Sequence, residues 1–598
     1  MARKRRQAGE LVKTLNRCAS RGRGAGRRSS VRRFLLLLST MALALSSAFV
    51  GGAPPRFVEG SRQAGLHQFH LNGGTAEKRY IVEAMSGGVC LIDFDGDGLL
   101  DIFLVNGGEL ESFQKGEPSG LSHALFRNLG NRRFENATEQ AGVAGNGAWG
   151  MGCSVTDFDN DGLPDLYVTG YGDNILYRNR GDGTFKDVTA RAGVNDPRWS
   201  TGSAWADFNG NGYLDLYVAN YIELDRGNLP EPGSPRYGSM GGAVMGCRYL
   251  GLDVMCGPRG LKGAGDSFFV NRGDGTFEEK SGELGMQDPE GLYGLGAIWS
   301  DLNGDALPDL YVANDSAPNL LYANQGDGAL LEIGLLSGAA VSDAGAEQAG
   351  MGVASGDYMN EGAMSLYVTH FSGEYNTLYH NEGQYNFSDA TAVRRLLRDS
   401  LPFVGWGVAF FDFDNDGWLD LVAANGHVFP EVDRLQTTEV AGYRQRPLLF
   451  RNLRGRGFEE TGLAAGLSDE AVGRGLAVGD LDGDGHLDVV ISALDSAPLL
   501  YWNSGSENGF LRIQLQGRKN RLAIGALVRV RTGGIWQSRE VQSGGSYLSQ
   551  HEMTLHFGMG QSPAADEVVI RWPNGEITRL FEVEANQTLS VRQPDPVE

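Results

Sequence analysis

The sequence predicts an all-β protein, a seven-bladed β-propeller followed by a small β-sandwich, and three observations lead there. An acidic nine-residue pattern recurs seven times, each copy runs into a short apolar stretch, and glycine supplies 88 of 598 residues with no period of three. That glycine share is about twice the usual ~7% and calls for many tight turns between short strands. A hydrophobic fraction of 41% allows a large core and does not suit a multi-pass membrane protein.

Residues 1–33 carry twelve Lys/Arg against one acid, Glu10, and the following twenty residues are an apolar run ending in small residues. This is the layout of an export signal cut near Ala48 or Ala53, so residues 1–53 are assigned to export. An uncleaved signal anchor is the competing reading. Arg32-Arg33 resembles a twin-arginine signal, but Val31 departs from that pattern and the Sec route is expected. The mature chain is then secreted, at the cell surface or periplasmic, with no membrane span. Against a net charge of -22, the +11 of residues 1–33 leaves -33 on the remainder, which excludes nucleic acid as a partner.

Four cysteines lie beyond the export segment. Cys247 and Cys256 sit in a Gly/Pro-rich insertion, about residues 221–265, and are expected to form a disulfide that staples it. Cys90 and Cys153 precede equivalent repeat positions and are expected to be buried small apolar residues, not a pair.

The repeats begin at Asp93, Asp157, Asp207, Asp301, Asp357, Asp412 and Asp480, at intervals of 64, 50, 94, 56, 55 and 68 residues. Each runs into an alternating apolar strand such as LYVTG after Asp165. A second unit, LYRNRGDGTFKDVTARAGV from Leu176, reads as strand, Gly-rich turn, strand; its RGD tripeptides at Arg180 and Arg272 are read as turn residues. Its first half occurs seven times, ending with LYWN at Leu500, and its second half also seven times if FVEGSRQAGL at Phe57 is counted. Pairing of the N-terminal strand with Leu500–Asn503 would close a ring over residues 54–505 and remove exposed edges.

In D-x-D-x-D-G-x-x-D, side chains at positions 1, 3, 5 and 9 and the carbonyl of position 7 are hard oxygen donors, which suits Ca²⁺. Four loops are complete: Asp93, Asp95, Asp97, Leu99 and Asp101; Asp157, Asp159, Asp161, Leu163 and Asp165; Asp412, Asp414, Asp416, Trp418 and Asp420; and Asp480, Asp482, Asp484, His486 and Asp488. Two carry asparagine: Asp207, Asn209, Asn211, Tyr213 and Asp215, and Asp301, Asn303, Asp305, Leu307 and Asp309. The fifth loop is degraded, with Met359 and Ser365 at ligand positions, and keeps Asp357 and Glu361 as weak donors. About six Ca²⁺ sites and a degraded seventh are expected. Position 12 is always apolar, from Leu104 to Ile491, which excludes an EF-hand.

Over about residues 57–503 these repeats resemble the FG-GAP/VCBS family, whose calcium loops and seven-bladed propeller are shared with the integrin α-subunit head. RLAIGALVRVRTGG, REVQSGGSYLSQHEMTLHFGMG and VVIRWPNGEITRL resemble the ASPIC/UnbV domain, found behind such propellers in bacterial exported proteins and in the secreted acidic cartilage protein family. The resemblance implies no assigned reaction.

From the residues alone, 506–598 reads as a β-sandwich of short strands separated by Gly, Pro or Asn turns. Residues 509–598 carry ten Lys/Arg and nine Asp/Glu, against a net -34 on residues 34–508, and a separate domain is expected. The run Gly544, Tyr547, Ser549, Gln550, His551 fits either a sugar-binding edge or a hairpin with an ordinary hydrogen-bonded tyrosine.

No zinc spacing, GxSxG elbow or Walker loop occurs, and the many Gly-x-Gly strings are read as turns. The leading expectation is an exported calcium-binding module that recognises extracellular polysaccharide, matrix or protein, with the insertion as its specificity loop. The alternatives are a polysaccharide lyase or hydrolase working on the propeller face, and a structural matrix or surface component.

Overall fold

Each acidic loop joins the first and second strands of a four-stranded antiparallel sheet in the computed structural model, which describes residues 55–233, 247–286, 288 and 291–596. The expected export signal and residues 234–246 of the insertion lie outside them.

Sheet 2 shows the pattern: strands Trp149–Thr156, Asp165–Tyr171, Ile175–Asn179 and Phe185–Asp187 pair in sequence order. Its second strand is buried on both faces because neighbouring sheets cover both. Leu166 and Val168 join a core with Ile92 and Phe103 of sheet 1, while Tyr167 faces Trp205 and Leu216 of sheet 3. Period-two alternation therefore sends side chains to two different sheets, and no face is left to water.

The described residues contain seven such sheets, each second strand opening at the ninth position of its acidic loop. Each innermost strand packs on that of the next sheet, and the strand Val89–Ile92 of sheet 1 also meets Gly473–Gly479 of sheet 7. The first three strands of sheet 7 end at Leu499–Asn503, and Phe57–Glu59 supplies the fourth, pairing Phe57 with Asn503 and Glu59 with Tyr501. The expected N-terminal pairing is thus present.

Close approach at the axis has a residue-level cause. Gly88, Gly152, Gly202, Gly296, Gly352, Gly407 and Gly475 lie at or beside the inner strands, one to each sheet; a Cβ at Gly352 would stand 2.1 Å from the Trp406 carbonyl oxygen, and one at Gly475 would stand 2.3 Å from that of Gly87. The Gly-x-Gly strings of the acidic loops and hairpins, such as Gly96-Asp97-Gly98 and Gly273-Asp274-Gly275, are turns as expected, but Gly350-Met351-Gly352 and Gly405-Trp406-Gly407 are places where adjacent backbones touch. The same proximity corrects the cysteine reading. Cys90 and Cys153, on the inner strands of sheets 1 and 2, form a disulfide, as Cys247 and Cys256 do; neighbouring inner strands bring together thiols 63 residues apart.

The C-terminal strands form two further sheets. One pairs Leu555–Gly560 with Gly509–Gln516, and Gly509–Gln516 in parallel with Gln587–Arg592; the other orders Ile535–Glu540, Leu527–Thr532, Ala564–Arg571 and Ile577–Glu584. These sheets pack against the propeller, Pro55–Glu598 being one compact unit. The segment 543–550 enters the propeller axis. Ser546 N–H donates to Val353 O at 2.6 Å, Gly545 N–H to Ala297 O at 2.8 Å, and Gln550 N–H to Val89 O at 3.0 Å, while Cys153 N–H donates to Leu548 O at 3.1 Å. Inner-strand amides and carbonyls that face the axis find their partners in this plug. Tyr547 is fully buried, donates its hydroxyl to Met85 O at 2.6 Å, and packs on Trp406 with ring centroids 4.7 Å apart. It is the hydrogen-bonded tyrosine of the plainer reading, not part of an exposed sugar-binding edge.

Phe57 is buried among Phe411 and Phe413, with centroids 6.4 and 6.2 Å away. We expect Phe57→Ala to cost about 3–5 kcal/mol in denaturant unfolding; a change under about 0.5 kcal/mol would show that the N-terminal strand does not hold sheet 7.

Candidate metal centres

The local fold of each loop follows from its first aspartate. Asp93 Oδ1 accepts the Gly96 and Asp97 amides at 2.9 and 3.1 Å, and Oδ2 accepts that of Gly98 at 3.0 Å, so one carboxylate winds the turn. The fifth position turns one oxygen to the seventh, Leu99 N–H to Asp97 Oδ1 at 2.9 Å. The ninth position, fully buried, ties the loop to the sheet: Asp101 Oδ2 accepts Phe94 N–H at 3.1 Å and Oδ1 accepts Asn128 N–H at 2.7 Å.

Positions 1, 3 and 9 converge in four loops. Ligand oxygens of Asp93, Asp95 and Asp101 lie within 4.8 Å of one another, as do those of Asp157, Asp159 and Asp165, of Asp412, Asp414 and Asp420, and of Asp480, Asp482 and Asp488. Asp97, Asp161, Asp416 and Asp484, expected as donors, are not part of these groups. Among the described residues the loops at Asp207, Asp301 and Asp357 form no such group. Their third positions are Asn209, Asn303 and Met359, so none of the three loops places a carboxylate there.

The convergent groups fit a hard cation. Asp95 Oδ1 and Asp159 Oδ1 are buried without a hydrogen-bond partner, a costly condition for carboxylate oxygen unless something positive meets it. Burial is the main cause that pushes Asp101 up to about 8 and Asp157 to about 7, and holds Asp165, Asp420 and Asp488 well above the usual carboxylate range; neighbouring aspartates add to it.

Two sets of residues around the loops were missed in the sequence. Arg127, Arg178 and Arg451, from the third strands, pair with the third-position carboxylates of Asp95, Asp159 and Asp414 at 2.5–2.6 Å. At the seventh loop Trp502 takes the arginine's place, and Arg132 from the first sheet's hairpin reaches Asp482 at 2.5 Å. Where the third loop position is Asn209 or Asn303, the strand carries Val270 or Ala323 instead, so the recurring R-N dipeptide was a readable signal of a fully charged loop.

The second set is the asparagine ending every third strand. Asn128, Asn179, Asn271, Asn324, Asn381, Asn452 and Asn503 each donate from Nδ2 to the carbonyl at the second position of the preceding sheet's loop, at 2.7–2.9 Å. Asn128 reaches back to Leu481 of sheet 7, so the chain of bonds has no break. Each Nδ2 also meets its own loop's eighth-position carbonyl, such as Leu419 O from Asn452 at 2.8 Å.

The C-terminal domain places cations on the same end of the sheets. Arg512 contacts Asp480 at 3.0 Å, Arg571 contacts Asp301 at 2.6 Å, and Lys519 Nζ donates to Asn211 O at 3.4 Å. Arg539 is buried against the charges of Asp412, Asp357 and Asp420. This is the physical content of the charge contrast between the two parts.

Residues 93–168, 157–218, 301–368 and 366–423 match the FG-GAP-like repeat, residues 472–499 the FG-GAP repeat, and residues 516–598 the ASPIC and UnbV family. The chain carries FG-GAP repeats and an ASPIC/UnbV domain. It is 29% identical over 335 residues to cartilage acidic protein 1 of Xenopus tropicalis, covering 54% of this chain and 48% of that protein, and 28% identical over 340 residues to the Homo sapiens protein of the same name, with the same coverage. It thus spans about half the length of the curated relatives it matches. Among solved structures, YCF48 bound to D1 peptide superposes with a TM-score of 0.36 at 10% identity, covering 70% of this chain and 93% of that one. An Agrocybe aegerita lectin described as recognising non-reducing terminal N-acetylglucosamine does so with a TM-score of 0.34 at 15% identity, covering 63% and 79%. At that level of superposition neither adds to the strand pairing above.

Asn452→Ala removes the bonds to Tyr358 O and Leu419 O and leaves both carbonyls buried. The expected loss is about 2–3 kcal/mol of unfolding free energy; no measurable loss would show that water replaces the amide and that the asparagine chain is dispensable.

Proposed function

We propose that the protein is an exported module whose acidic loops hold Ca²⁺ and whose propeller binds an extracellular polysaccharide, matrix or protein ligand. The unpartnered, buried oxygens of Asp95 and Asp159 within convergent aspartate groups carry the metal part of this reading. Oxygen-only donors favour Ca²⁺ over Zn²⁺ or Cu²⁺, and the carbonyls of Leu99, Leu163, Trp418 and His486 would complete the sets. The loops at Asp207 and Asp301 are weaker candidates, and that at Asp357 the weakest. Calcium would meet the carboxylate oxygens that Arg127 and Arg178 leave unpaired, and its role is structural: its loops shape the seam between sheets. The repeat and domain composition supports the binding role, and cartilage acidic protein 1 supports the extracellular setting by its name. Among the described residues no helix is long and apolar enough to cross a membrane.

Bound-metal analysis of the purified chain is expected to give at least one Ca²⁺ for each of the four convergent groups, and Asp159→Asn to lose one. Each site adds about 2.7 kcal/mol of stability at a hundredfold excess over Kd. Absence of bound calcium, with no change in Tm on chelation, would refute the assignment.

The pH dependence has a definite sign. Carboxyls such as Asp101 and Asp157 have folded-state values near 8 and 7, above the ordinary 3.8, so the metal-free fold loses stability as pH rises from about 4 through about 8. Calcium removes that penalty, and the Tm difference between loaded and chelated protein should widen from pH 5 to pH 8. A constant or narrowing difference would contradict it.

A further inference from the structure

A cavity of about 790 Å³ opens at the end of the sheets opposite the acidic loops. Its floor includes Trp406, held from below by Tyr547 of the axial plug. Tyr249, from the disulfide-stapled part of the insertion, packs against Phe371 and Phe429 with centroids 5.5 and 5.6 Å away, and Phe371 and Phe429 stand 5.9 Å apart. Three rings thus form one wall, and Tyr249 is fixed by a 2.7 Å hydrogen bond between its hydroxyl and that of Ser372.

Two carboxylates line the same cavity. Asp315 accepts the Tyr221 hydroxyl at 2.5 Å and that of Ser316 at 2.9 Å, and Glu374 accepts Ala349 N–H at 2.8 Å. Burial pushes both acids up, and Asp315 pushes Glu374 further, so the two lie close enough to repel. The lining arginines are already engaged, Arg248 with Asp253 at 2.7 Å and Arg259 with Glu347 at 3.8 Å, although Arg259 also eases both acids. The four charged groups lining the cavity sum to zero, and with Asp253 and Glu347, which draw the arginines away from it, the six sum to -2 beside an aromatic wall.

We propose that this cavity binds an organic ammonium ion, an amine or quaternary ammonium group on an apolar body, with its charge at Asp315 and Glu374 and its body on the rings. Ring faces attract cations, all the more when water is excluded, and an apolar cavity with a few convergent polar groups is the usual form of a small-molecule site. The negative field of a chain with net charge -22 favours cation encounter. This deepens the reading of the protein as a binding module and rests on it.

The test is ligand-observed NMR titration of the whole calcium-loaded chain with choline and with its neutral isostere 3,3-dimethylbutan-1-ol. Choline should bind at least about tenfold more tightly, the scale of one desolvated cation–π contact. Glu374→Gln, which can still accept the Ala349 amide, should remove about tenfold of choline affinity while leaving the isostere and Tm unchanged. Equal affinity for the two probes, or no binding of either, overturns the assignment. If the calcium-dependent Tm shift survives that failure, only the ligand falls; if the shift is also absent, the module reading falls with it.

Discussion

The asparagine side chain at the end of each third strand is the contact on which the rest of the structure depends. Its Nδ2 group ties its own loop to the loop of the preceding sheet, while its main-chain N–H docks on the buried ninth-position oxygen: an aspartate in six loops and Ser365 in the fifth. One residue type thus fixes loop, strand and neighbour together. The asparagines are buried, so each unmade bond would carry its full desolvation cost, and seven in a cycle leave no free end at which fraying can begin. Most of the glycine contacts at the axis follow the same order, as Gly202 against Leu295 and Gly475 against Gly87 do, while Gly152 meets Leu548 of the plug.

Electrostatics works against this arrangement and has been met from three directions. Carboxylates are gathered at the seams, where burial disfavours their charge. Third-strand arginines neutralise part of it, and Arg512, Arg539 and Arg571 of the C-terminal domain neutralise more. The remaining unpartnered oxygens of Asp95 and Asp159 lie within groups that could hold a metal ion. The C-terminal domain is therefore a counter-charged cover over one end of the propeller and, through residues 543–550, the filling of its axis. It also links the two ends, because Tyr547 beneath Trp406 belongs to the domain whose arginines contact Asp480 and Asp301.

Much of this was legible in the residues. Counting half-repeats predicted the pairing of Phe57 with the strand at Leu500–Asn503, because a local pattern that lacks a partner at each end identifies both ends. The acidic loops and the Cys247–Cys256 staple were also local. What the sequence hid depends on partners far along the chain. Cys90 and Cys153 are joined only because inner strands converge on an axis. Gly-x-Gly at Gly350 or Gly405 has the same spelling in a turn and in a close approach. For Tyr547 the residues left a sugar-binding edge and a hydrogen-bonded tyrosine both open, since its partners, Met85 O and Trp406, are 462 and 141 positions away. The fifth-position aspartates Asp97, Asp161, Asp416 and Asp484 lie outside the convergent groups, each with one oxygen accepting the seventh-position amide of its own loop.

The central claim is that the sheets form one cyclic, cooperative unit with no weak terminal sheet. Native-state hydrogen exchange on the calcium-loaded protein tests it most directly. The amides of Asn128, Asn271, Asn324 and Asn503, each bonded to a buried ninth-position carboxylate, should open with the same free energy, sheets 1 and 7 being as protected as sheets 3 and 4. Lower opening free energies at Asn128 and Asn503 than at Asn271 and Asn324 would mean an open array with fraying ends, and would contradict the account.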